Sequence, residues 1–271
     1  MSIAASQPAR SAGALLRDWR QRRRLSQLDC ALEAEISQKH LSFIESGRAA
    51  PSRAMVLHLS ETLDVPLRER NAILLAAGFA PVFPERSLDD PALAPARSAI
   101  EMILKGHEPY PALAVDRRWT LVSANAAVQR LLGLVSDPGL LVPPVNVLRL
   151  SLAPGGLAPH IANFGEWRGH VLARLGQQVR ISGDHQLAAL RDSLARLPHA
   201  DADDASGAPD ALGGIAIPLR LRTPAGALSL ISTTTVFGTP VDVTLSELAL
   251  ETFFPADEAT AAALRAMARS D

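Results

Sequence analysis

The chain has 271 residues, 48% hydrophobic and 20% charged, with a formal net charge of −1. That composition excludes a wholly disordered chain, and the length points to two domains. Charge is unevenly placed: residues 1–80 carry eleven Lys and Arg against eight Asp and Glu, while residues 81–271 carry 16 against 20. A basic head on an acidic body fits a nucleic-acid-binding domain joined to something else. The single cysteine, Cys30, excludes an intramolecular disulfide and favours a reducing compartment. Met1–Leu16 lacks a secretory pattern because Arg17 and Asp18 follow at once, and no run of about 18 apolar residues exists. A cytoplasmic chain without a membrane partner is therefore expected. Lysine occurs only at Lys39 and Lys105, which with the abundant alanine hints at a GC-rich, bacterial genome.

Three zones follow in chain order. Residues 1–80 read as an all-α domain, with apolar residues at helical spacing from Ala12 to Ala80 and loops at Arg23–Leu25, Gly47–Pro51 and Asp64–Pro66. Residues 81–98 read as a linker, because Pro81–Pro95 holds four prolines and the pair Asp89–Asp90. Residues 99–271 mix helices and strands. Ala112–Val115 and Thr120–Ser123 are short apolar runs around a turn, read as a hairpin. Asn125 caps a helix over Ala126–Leu132, stopped by Gly133. Helical patterns recur at Ile161–Leu175 and His185–Leu197, and His199–Gly214 reads as an acidic mobile loop. Strands are expected at Ile215–Arg222, Leu228–Thr235 and Leu248–Phe254, and a last helix at Glu258–Arg269. This order describes an α+β sensor fold better than a Rossmann or barrel pattern.

The densest signal runs from Leu25 to Ser52: L-S-Q-x-x-x-A-x-E-A-x-I-S-x-x-x-L-S-x-I-E-x-G-R-x-x-P-S. Ser26 can cap a helix with Asp29 as its capping-box partner. Ala31 is small where two helices approach, and Glu35–Ile36 makes the turn. Ser37 caps the next helix, which runs to Ser46. Leu28, Leu32, Ile36, Leu41 and Ile44 are expected to form the interior with Leu16 and Trp19. Gln38, Lys39 and His40 are left facing outward at the start of the last helix, where a recognition helix meets base edges. Arg22–Arg24 reads as a solvated charge run or as a phosphate contact.

Gln7–Ala80 resembles the helix-turn-helix domain of the XRE family, the group of phage Cro and repressor proteins, which implies a five-helix DNA-binding domain. By that resemblance Gln27 contacts a phosphate, and Gln38 and Lys39 read bases with Ser37, His40 and Phe43 nearby. Arg20 pairs with Glu45 and orients the backbone contact, and Ser46, Gly47 and Arg48 lie against phosphates. Gln suits adenine and Lys suits guanine in the major groove. Phe43 departs from the family, which places a polar residue there; it touches a thymine methyl or packs between helices.

Three segments of the last zone are distinctive: P-Y-P-A-L-A-V-D-R-R-W-T-L-V-S-A-N from Pro109, L-R-L-S-L-A-P-G-G-L-x-P-x-I-A-N from Leu148, and T-T-T-V-F-G-T-P-V-D-V-T-L-S-E-L-A-L-E-T-F-F-P-A-D from Thr233. They resemble the ligand-binding domain of MmyB-like transcription regulators, which places a PAS-like domain behind an XRE-type head. The resemblance implies a pocket for an apolar, fatty-acid-like ligand. On the residues alone, Phe164, Trp167, Val171 and Leu172 form an apolar helix face, with Trp119, Leu121, Leu230 and Phe237 from strands or their ends; each is equally readable as plain core. Arg149, His160, Asn163 and His170 are candidates for a polar end. No G-x-S-x-G, G-x-G-x-x-G or G-x-x-x-x-G-K-[ST] occurs, and the histidines lack metal-ligand spacing, so neither an enzyme nor a cofactor, haem and flavin included, is expected. The expected partners are double-stranded DNA with a two-fold operator, a small apolar ligand and a second copy of the chain. The alternative is a DNA-binding regulator whose C-terminal domain only dimerises or recruits a protein.

Overall fold

The computed structural model describes residues 10–198 and 217–269. The loop expected over His199–Gly214, the first residues of the strand expected from Ile215, and the start of the XRE resemblance at Gln7 lie outside them. The described residues fall into two compact units, one reaching Arg86 and including Pro240–Ser246, the other comprising the rest.

The first unit holds five helices: α1 (Ala12–Arg22), α2 (Gln27–Glu33), α3 (Gln38–Glu45), α4 (Arg53–Thr62) and α5 (Leu67–Ala76). Four start on serine. Ser11, Ser26, Ser37 and Ser52 each accept a hydrogen bond from a backbone N–H of the first turn, and Ser26 with Asp29 completes the capping box. Such caps satisfy donors that the helix itself cannot, each contributing about 1 kcal/mol. Leu16, Leu41, Ile44, Leu59, Leu63, Ile73 and Leu74 are fully buried among them. Glu35, at φ 51°, turns the chain between α2 and α3. A helical turn at Val243–Ser246 completes the unit: the Val243 N–H donates to the Pro84 carbonyl, and buried Asp242 accepts from Arg86 at 3.1 Å.

One expectation about this core is corrected. Leu28 and Leu32 are 51% and 67% exposed rather than interior. The face of α2 that turns inward carries Cys30, Ala31 and, at its end, Ala34, none more than 1% exposed. Small residues win because the helices approach closely. The same crowding explains Gly13 on α1, where a Cβ would fall 2.0 Å from the Ile44 carbonyl oxygen of α3.

The second unit is a five-stranded antiparallel sheet with helices. Its strands are β1 (Ala112–Val115), β2 (Leu121–Ala124), β3 (Leu219–Thr223), β4 (Gly226–Val236) and β5 (Ala249–Pro255), in the order β2-β1-β5-β4-β3. The helices are α6 (Ala94–Gly106), α7 (Ala126–Leu132), α8 (Val147–Leu152), α9 (Phe164–Ser182) and α10 (His185–Ala195), followed by Glu258–Arg269. This is a PAS-like α+β domain. The expected hairpin, the Asn125-capped helix and the last helix are all present. α6 begins inside the stretch expected as linker, because Pro95 sits in its first turn, where its missing N–H breaks no helical bond. α9 runs on past Leu175 to a left-handed stop at Gly183, φ 65°. The core gathers along one face of the sheet, under α7, α8 and α9.

Candidate functional site

The first candidate surface is the start of α3. Ser37 Oγ accepts from the His40 N–H and fixes the first turn, leaving Gln38, Lys39 and His40 exposed. Phe43, one turn on, is half-buried, with the Lys39 ammonium 5.6 Å and the Arg48 guanidinium 5.8 Å from its ring centre. Its ring thus gathers two cations beside the polar first turn.

Behind this surface lies a buried ion pair. Arg20 Nε donates to Glu45 Oε1 at 2.6 Å and its terminal nitrogen to Oε2 at 2.9 Å, while Gln27 Nε2 donates to Oε2 at 2.8 Å. A further Arg20 nitrogen donates to the Leu25 carbonyl at 2.7 Å. The hydrogen bonds to Glu45 raise the guanidinium's pKa. Gln27 is therefore tied to α3 by one of its two amide protons. The Ser46 hydroxyl donates to the Ser42 carbonyl at 2.7 Å, so its proton is spent within the helix. Arg23 donates to the carbonyls of Leu63 and Asp64 and serves as a brace. Burial pushes the Cys30 thiol up, which leaves it protonated and inert.

The second candidate site is a cavity of about 110 Å³ in the second unit. A single water needs roughly 10–15 Å³ on this measure, so the space suits an organic molecule. Alternation along the strands builds one wall: Leu113, Leu121, Leu219, Leu221, Leu230, Ser232, Glu251 and Phe253 share the sheet face. α7 adds Val128 and Leu131, α8 adds Leu148, Leu150 and Ser151, and α9 adds Trp167, His170, Val171 and Arg174 at helical spacing. Trp119 enters from the β1–β2 turn at φ 64°, an unfavourable backbone for a bulky residue. Asp116 holds it there: its side chain accepts from the N–H groups of Arg118 and Thr120, and its carbonyl from Trp119. Both indoles are satisfied, Trp119 by Gln178 and Trp167 by Ser151.

The polar end of the cavity is small. Arg174 makes a two-pronged pair with Glu251, at 2.6 and 3.1 Å, and its guanidinium lies 4.6 Å from the Trp119 ring centre. Thr234 donates to the same carboxylate at 2.8 Å. His170 packs at 5.6 Å from Trp167, and burial, with help from the Arg174 charge, lowers its pKa.

Of the residues expected at a pocket, Trp119, Leu121, Trp167, His170, Val171 and Leu230 line this cavity together. Phe164 is packed in the adjoining core, and Phe237 is half-buried beyond the end of β4; neither is among the lining residues. Arg149 turns away to donate to Ser193, His160 bonds the Leu134 carbonyl, and Asn163 donates to Glu166 and Pro218. The sequence reading missed Arg174 and Glu251. Their signals were available: Arg174 stands four residues after His170 on one helix face, and Glu251 is a lone acid in an apolar strand.

Residues 96–267 match the family model described as the MmyB-like transcription regulator ligand binding domain, and residues 11–73 match a helix-turn-helix domain model. No curated protein matches the chain. Among solved structures, an RNA-binding light-oxygen-voltage receptor aligns at 16% identity with a TM-score of 0.26. The alignment covers 96% of this chain and 64% of that one, and a likeness so slight carries no argument. Among the described residues no helix is long and apolar enough to cross a membrane. A helix-turn-helix followed by a ligand-binding domain is the make-up of a DNA-binding transcription regulator, not of an enzyme, and the chain belongs to the MmyB-like transcription regulators.

Proposed function

We propose that the protein is a one-component regulator whose grip on DNA is set by a small, fatty-acid-like molecule in the cavity of the PAS-like domain. The observation that carries this is the cavity itself, apolar on nearly every side within a domain of the ligand-binding family. A domain serving only to dimerise or to recruit a protein has no need of such a space. In this reading Gln38 and Lys39 reach base edges in the major groove, with Ser37, His40 and Phe43 beside them. Arg48 and the remaining amide proton of Gln27 meet phosphates, while Arg20 positions α3 through Glu45. One such module reads a short site, so two copies act on a two-fold operator with half-sites roughly 34 Å apart. The PAS-like domain supplies much of the dimer contact. Ligand binding changes the spacing of the two heads and hence the affinity.

The experiment is selection of operators from a random DNA library with the full chain, followed by titration of Gln38→Ala and Lys39→Ala. Each substitution is expected to weaken the selected site roughly 5- to 150-fold, the range for one good base contact, with non-specific binding kept. Unchanged affinity for the selected site in both variants would overturn the assignment of α3.

A further inference from the structure

We infer that the cavity selects molecules with an uncharged, hydrogen-bonding head, such as a long-chain alcohol or primary amide, over the matching free carboxylate. The inference rests on the ligand-sensing reading above and narrows it. Among the described residues, three charged or titratable side chains line the cavity: His170, Arg174 and Glu251. Arg174 and Glu251 neutralise each other through two hydrogen bonds, and Glu251 is only 3% exposed. Burial keeps the His170 ring neutral at pH 7. The described wall therefore presents no net positive charge. The side chains that looked able to meet a carboxylate, Arg149, His160 and Asn163, are all bonded elsewhere. A carboxylate entering here would lose its water without gaining an unshared cation, and it would face a second buried carboxylate.

The pair is nevertheless well made for a neutral head. Glu251 accepts twice from Arg174 and once from Thr234, and a carboxylate has about four acceptor positions. Its remaining position suits a ligand O–H or N–H. The guanidinium has five N–H groups. Three are spent, two on Glu251 and one on Thr234, so two remain to meet a ligand oxygen. One donor and one acceptor side by side match an alcohol or an amide. Trp119, stacked on the guanidinium, holds the arrangement in place.

The test uses the full chain, stripped of bound apolar molecules, at pH 7.5, with Trp119 and Trp167 emission as the readout. The probes are 1-dodecanol and sodium dodecanoate, which share a chain length and differ in the head. Dodecanol is expected to bind at least tenfold more tightly. In Glu251→Gln, which frees the Arg174 charge, the preference should reverse toward dodecanoate. Equal or tighter binding of dodecanoate to the unmodified protein would overturn the head-group inference and leave the ligand-sensing reading standing. Binding of neither probe would overturn both.

Discussion

Glu45→Ala removes the carboxylate on which the helix-turn-helix is hung. Arg20 is 8% exposed and Glu45 7%, so neither end of the pair is rescued by water. The substitution deletes two charge-assisted bonds from Arg20 and one from Gln27, leaving the guanidinium buried against a single carbonyl, that of Leu25. Breaking one side of a buried ion pair costs about 3–5 kcal/mol. At about 1.4 kcal/mol per decade, the open fraction of the first unit rises roughly two to four decades. Native-state hydrogen exchange by mass spectrometry measures this on α1 and α3 separately from the rest of the chain. The cost should persist at high salt, since screening acts on exposed charges. The double substitution Arg20→Met with Glu45→Leu removes both charges and should recover most of the loss. Unchanged protection of α1 and α3 amides in Glu45→Ala would refute the reasoning.

Two further outcomes follow from the packing and the titration. Gly13→Ala improves helix propensity by about 1 kcal/mol yet drives a methyl into the Ile44 carbonyl, so a net loss of about 1–3 kcal/mol is expected in the same exchange experiment; a gain in protection would contradict the close approach of α1 and α3. His170 has a lowered pKa in the folded protein, mainly through burial and then through the Arg174 charge, against weaker opposite pulls from Glu251 and Glu166. The unfolded chain therefore takes up this proton first, and the second unit should lose stability as pH falls below about 6.5, with no contribution from this ring at higher pH. His170→Gln should flatten that part of the profile, read from the urea midpoint of Trp119 and Trp167 emission in a Trp19→Phe background. An identical profile in both proteins would remove His170 as its source.

Helix starts were legible because capping is local. Ser26, Ser37 and Asn125 each announce a helix within three residues, and each does so in the structure. Strand content at Ala112–Val115 was equally plain, as a short apolar run beside a turn. Orientation was harder. Apolar periodicity put Leu28 and Leu32 inside, but close helix contact favours the face of Cys30 and Ala31, and periodicity does not weigh size. Proline likewise misled at Pro95, where a first-turn position reads in sequence as a linker. In the sensor domain, six of the twelve expected pocket residues line one cavity because strand alternation and helical spacing are readable. Arg149 was misplaced because its direction depends on Ser193, 44 residues away. Glu251 and Arg174 each stand out in their own segment, but they meet across 77 residues, so their pairing could not be read locally.

The central claim is that occupancy of the cavity sets the affinity for DNA. It is tested most directly by measuring operator affinity on one preparation of the full chain before and after its apolar ligand is stripped, with mass spectrometry of the organic extract identifying what was removed. A stoichiometric apolar molecule is expected in the extract. The two states should differ in operator affinity by roughly 5- to 150-fold, the usual span of coupling between two sites. Equal affinities with the ligand present and removed would contradict the account.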